Sequence, residues 1–203
     1  AAANGLLLNS VIPSVILLFG ALFLGQKLVP AQVFGLALSF VGVLTIILHG
    51  EWARLLALDF SAGDLLVFAA MVCWAFYTLW LRGIPPEVDR IGLMAAQAGL
   101  GLLVLGPLCL IERGFGLAPN WSDGSLAALA YLGVFPSVFA YLLYNIGVAK
   151  VGAAKAGLFI HLIPVFGAVL AVAFLRESLH LYHAVGIAAI LGGIACAVRP
   201  AKA

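Results

Sequence analysis

The chain has 203 residues, of which 65% are hydrophobic and 9% charged, with a mean hydropathy of +1.21. A soluble domain is about 25% charged and about half apolar, so ten basic and eight acidic side chains cannot cover the surface of one. A soluble fold is excluded, and a net charge of +2 gives no sign of a nucleic-acid partner.

A bilayer core of about 30 Å takes roughly 20 apolar residues in a helix. Seven charge-free runs meet that length, at approximately residues 5–24, 31–48, 65–81, 91–111, 125–149, 156–175 and 179–198. They predict an all-α polytopic membrane protein. The opening AAANG has no initiator Met, basic region or cleavage motif, so it reads as an internal starting point and not as a signal peptide. Cys73, Cys109 and Cys196 fall inside apolar runs without disulfide or metal-site spacing and are expected to be small core residues.

Cytoplasmic loops hold an excess of Lys and Arg. The segments after the first, third and fifth spans, with the C-terminal tail, carry Lys27, Arg82, Arg90, Lys150, Lys155, Arg199 and Lys202. The opposite side carries Arg54, Arg113 and Arg176. This bias predicts a cytoplasmic C-terminus and an external residue 1. Trp52, Trp121 and Tyr182 fall near the expected interfaces, as an aromatic belt would.

An internal repeat is visible when residues 2–43 are laid over 153–194 without a gap, an offset of 151. Ile12, Pro13, Gly35 and Gly42 then meet Ile163, Pro164, Gly186 and Gly193, with further identities that include Phe23 and Leu24 on Phe174 and Leu175. The first and sixth spans cross the membrane in opposite senses, so the repeat is inverted, a recurring plan of secondary transporters. Five spans per unit make residues 62–203 one whole repeat. Residues 1–50 are the last two helices of another, 51–61 an external linker, and three helices are expected ahead of Ala1.

The stretch GAAKAGLFIHLIPVFGAVLAVAFLRESLHLYHAVGIAAILGGIACA resembles the closing helix pair of EamA-type permeases of the drug/metabolite transporter superfamily. VIPSVILLFGALFLGQKLVPAQVFGLALSFVGVL is similar to the equivalent pair of the first half. GDLLVFAAMVCWAFYTLWLRG and YLGVFPSVFAYLLYNIGVAKVGAAKAG are similar to the first and third helices of the second half. The resemblance implies a ten-helix, five-plus-five transporter of the bacterial inner membrane, exporting or importing small metabolites such as amino acids, or effluxing toxic compounds. It departs where the family often has Gly-Glu after the proline helices: this chain has Gly25-Gln26 and Arg176-Glu177.

The candidate chemistry lies inside the spans. His161 has a near-neutral pKa type and sits three residues before Pro164; its repeat mate Ser10 precedes Pro13 in the same way, with Asn9 alongside. A mid-membrane polar group must be paired or face a wet cavity. Three roles are therefore open to His161 and Ser10: bonding a carbonyl or neighbouring helix, lining a substrate cavity, or, for His161, titrating as a proton-coupling site. Ser137, Tyr141, Tyr144 and Asn145 fall on one face of the fifth span beside the kink residue Pro136. Trp74, Tyr77 and Thr78 make an aromatic stripe on the third, and Gln97 is a lone amide in the fourth. Each is either a packed, hydrogen-bonded seam or a cavity wall for a small-molecule substrate.

Other motifs carry less. GALFLGQK has phosphate-loop glycine spacing but Gln26 and Lys27 in place of the required Lys and Ser/Thr. His180 and His183 offer too few ligands for a metal. Asp64 reads as a helix-end charge, and Gly152, Gly167 and Gly186 begin small-residue spacings suited to close packing. No cofactor is expected. The alternative of another class, a seven-helix receptor, rests only on the helix count, and the spans hold no Asp pair, HExxH or Ser/Lys dyad for an intramembrane enzyme.

Overall fold

The computed structural model describes residues 2–56, 61–116, 121–176 and 178–198. Seven helices in it are long and apolar enough to cross a membrane. They are α1 (Ala2–Leu24), α2 (Pro30–Ile47), α3 (Ala62–Arg82), α4 (Arg90–Gly114), α5 (Asp123–Val151), α6 (Ala153–Phe174) and α7 (Leu181–Val198). Each coincides with one expected span. Arg199 and Lys202 of the orientation argument, and Glu177, lie outside the described residues.

The helix ends follow from the sequence. Pro30 sits in the first turn of α2, where its missing N–H has no partner to lose. The Asp89 carboxylate accepts from the backbone N–H groups of Ile91 and Gly92 at 3.1 and 2.9 Å, and Ser122 with Ser125 forms a capping box for α5. Two helices are interrupted where proline falls. A π turn over Phe135–Ala140 surrounds Pro136, and the Ser137 hydroxyl donates to the Leu132 carbonyl at 2.8 Å. In α6 a 3₁₀ turn, Phe159–Leu162, precedes Pro164. Pro13, by contrast, lies inside an uninterrupted α1.

The chain divides into two compact units, residues 1–82 with 151–203 and residues 83–150. In the first, α1 packs on α3 and on the first half of α6, while α2 and α7 make the most extensive helix pair. Glycine sets that approach. A methyl built at Gly42 would meet the Gly186 carbonyl at 2.7 Å, and one at Gly193 the Gly35 carbonyl at 2.5 Å. The pairings 35 with 193 and 42 with 186 run in opposite directions, so the two helices are antiparallel. Beside this crossing Val43, Ile46, Ile190 and Ile194 form an apolar cluster. In the second unit α4 buries none of its residues, and leucines 100, 102 and 103 are 65–72% exposed. Such faces suit contact with lipid chains.

The cysteines correct their expected place. Cys73 and Cys109 are exposed and Cys196 is half-buried. Inside a membrane an apolar side chain gains as much from lipid as from protein, so hydropathy alone cannot assign it to the core.

Candidate functional site

His161 is 1% exposed and bonded at both ring nitrogens. Its Nε2 lies 2.9 Å from the Ser10 carbonyl oxygen of α1, which can only accept, so Nε2 carries a hydrogen. Its Nδ1 lies 2.6 Å from the hydroxyl of Ser39 in α2, itself fully buried. In the neutral ring Nδ1 holds a lone pair, and Ser39 donates to it. The Ser39 oxygen is also 3.0 Å from the Leu36 carbonyl. A doubly protonated ring would therefore donate to Ser39, whose hydroxyl would turn to Leu36. The geometry holds either protonation state through one hydroxyl rotation.

The 3₁₀ turn Phe159–Leu162 places His161 in the middle of α6, where the turn packs against both α1 and α2. Its repeat mate behaves differently. The Ser10 hydroxyl donates to Leu7 of its own helix at 2.6 Å, and only its carbonyl faces outward, to His161. Pro13 removes the helix donor for the Asn9 carbonyl one residue earlier. Asn9, Ser10, His161 and Pro164 line one small cavity of about 10 Å³, room for about one water and not for a metabolite.

The remaining candidates fall in two places. On α3 Trp74 and Tyr77 bring their rings to 5.6 Å, Tyr77 and Trp80 to 6.5 Å, and buried Thr78 donates to the Trp74 carbonyl at 2.9 Å. Gln97, Tyr141, Tyr144 and Asn145 belong to the second unit, where Asn145 is buried and the other three half-buried. The His180 ring stacks on those of Tyr182 and His183, and the His183 Nδ1 accepts from the His180 backbone N–H at 3.1 Å.

Two polar partners escaped sequence reasoning. Ser39 bonds a residue 122 positions away; its only signal is its place on the Gly35–Gly42 face of α2. Asp64 is more than a helix-end charge: it accepts from the Asn4 amide at 3.0 Å, pinning α3 to the start of α1, and from the Ser61 backbone N–H at 2.8 Å.

A family model described as the EamA-like transporter family matches residues 61–199. The chain is 27% identical over 191 residues to the uncharacterized transporter YyaM of Bacillus subtilis, covering 94% of this chain and 62% of that one. It is 28% identical over 190 residues to the uncharacterized transporter YetK of the same organism, covering 93% and 57%. To a probable terminal-alkyne amino-acid exporter of Streptantibioticus cattleyicolor it is 26% identical over 177 residues, covering 87% and 57%. A solved crystal structure shares the fold with a TM-score of 0.76 at 23% identity, over 96% of this chain and 68% of that one. The chain thus spans about three fifths of the length of these curated relatives. With the family model matched over most of its length, the chain belongs to the EamA-like transporter family.

Proposed function

We propose that this chain is the greater part of a secondary transporter that moves small metabolites, amino acids or related compounds, out across the bacterial inner membrane by alternating access. In this reading residues 1–50 close one five-helix repeat, 51–61 link, and 62–203 form the second, inverted repeat, with the C-terminus cytoplasmic. One observation carries it beyond family membership: the repeat mates Ser10 and His161 touch each other, as residues on a two-fold axis must. The glycine contacts support the same relation, since the pair 35 with 193 becomes the pair 42 with 186 on exchange of the repeats. Transporter repeats of this kind rock about such an axis. The amino-acid class and the outward direction draw on the exporter relative.

His161 in this reading ties the two halves together and adjoins the substrate path. Asn9, Trp74, Tyr77 and Thr78 of the first unit are proposed to line that path with helices of the first repeat. The two protonation states that the His161 geometry admits support proton coupling there. The test is uptake of labelled amino acids and organic cations into everted vesicles bearing the full-length protein, with and without an imposed pH gradient. Saturable uptake of an amino acid, weakened in His161→Ala, is expected. Gradient dependence that disappears in the variant would assign the coupling proton to His161, and gradient-independent uptake would make transport facilitative. No saturable uptake of any panel member would overturn the reading.

A further inference from the structure

At the Lys/Arg-rich end of the first unit, a cleft of about 290 Å³ opens among α1, α2, α3 and α6. Three cations line it from three separate elements: Lys27 from the α1–α2 turn, Arg82 from the last turn of α3 and Lys155 from the start of α6. The backbone delivers two of them. Gly25, at φ 59, closes α1 and sets the Gln26 N–H on the Gly20 carbonyl at 3.0 Å, immediately before Lys27. Gly152, at φ 84, turns the chain into α6 three residues before Lys155.

No carboxylate is among the described residues lining this cleft. Three like charges around one space repel one another unless an anion joins them. The amides of Gln26 and Gln32 belong to residues of the same wall. Val29 and Leu17 supply an apolar side. The volume falls just short of the usual range of ligand sites, about 300 to 1,000 Å³.

We propose that this cleft binds a phosphate-bearing anion, held by Arg82 as the bidentate partner with Lys27 and Lys155 as point charges. The phosphate comes either from an anionic lipid headgroup or from a soluble phosphoester. Its assignment to the cytoplasmic leaflet rests on the proposed orientation, but the binding itself requires neither that orientation nor transport.

The test uses the full-length protein. Its thermal midpoint is compared in phosphatidylcholine nanodiscs with and without phosphatidylglycerol, and in detergent with and without glycerol phosphate. Phosphatidylglycerol is expected to raise the midpoint, with affinity falling about fivefold for each cation removed in Lys27→Gln, Arg82→Gln and Lys155→Gln. Lys150→Gln, whose side chain is outside the lining, should keep the whole effect. The swap Arg82→Lys preserves the charge and should recover only part of the loss, which separates binding from a general effect on folding. A cation-dependent shift with glycerol phosphate alone would identify a soluble phosphoester as the source. No shift in either arm, or a shift that survives replacement of all three cations, would overturn the proposal.

Discussion

The repeat-matched helices α1 and α6, each with a proline, start from matched sequence and end in different structures. Ile12-Pro13 and Ile163-Pro164 occupy the same register, three residues after Ser10 and His161. Around Pro13 the α-helix is unbroken, and the Ser10 hydroxyl spends its hydrogen on Leu7 in its own helix. Ahead of Pro164 the helix tightens into a 3₁₀ turn, and His161 reaches two other helices. Proline permits a break without dictating one. What differs is the reach of the side chain: the Ser10 hydroxyl bonds its own helix, whereas the His161 imidazole spans to α1 and α2 at once.

The largest way to break this comparison is to part α2, which carries the Ser39 partner of His161, from α7. Gly42→Leu would drive a side chain into the Gly186 carbonyl and Ile190. Overpacking of this kind costs about 3 kcal/mol, and the thermal midpoint in detergent should fall sharply, with loss of the monodisperse species on gel filtration. Sharpening comes from the mates themselves. His161→Ala removes two bonds between helices, worth about 1–2 kcal/mol together on the transmembrane scale. Ser10→Ala removes only a hydroxyl bonded to its own helix, so its effect should be about 0.5 kcal/mol or less. Urea or thermal denaturation of the two variants side by side checks the asymmetry; equal losses would mean that the imidazole bonds carry no net stability.

The smallest expected effect lies outside the bilayer. Glu51 pairs with Arg54 at 2.8 Å, and the guanidinium bond holds its carboxyl below the usual carboxylate range. A lowered folded pKa gives a contribution present above the ordinary carboxylate pKa and lost as pH falls through the folded value. Both groups are exposed, so solvent screening leaves little of it. Glu51→Gln should leave the thermal midpoint at neutral pH unchanged and slightly flatten its decline at acid pH.

Most of the fold was legible because membrane length and hydropathy constrain spans strongly: all seven expected runs are helices, and their ends fall at readable residues such as Pro30, Asp89 and Ser122. The orientation of each face was not. Lipid and protein interior are equally apolar, which is why the cysteines were misplaced. At the site, the proline and repeat marked His161 and Ser10 as a matched pair. The Ser39 and Asn4–Asp64 partners were invisible, because each depends on a side chain far away in sequence and carries no periodic signal.

The proposed inverted relation of the two halves is tested most directly by disulfide trapping in the full-length protein, with Cys73, Cys109 and Cys196 replaced by serine. A Cβ at Gly192 lies 3.9 Å from the Leu38 side chain, so Leu38→Cys with Gly192→Cys should cross-link on mild oxidation. Exchange of the repeats at an offset of 151 turns that pair into Val41 with Ala189. Efficient cross-linking of both pairs is the outcome expected for inverted mates meeting at His161. Cross-linking of the first pair alone would contradict the two-fold relation and, with it, the proposed pivot.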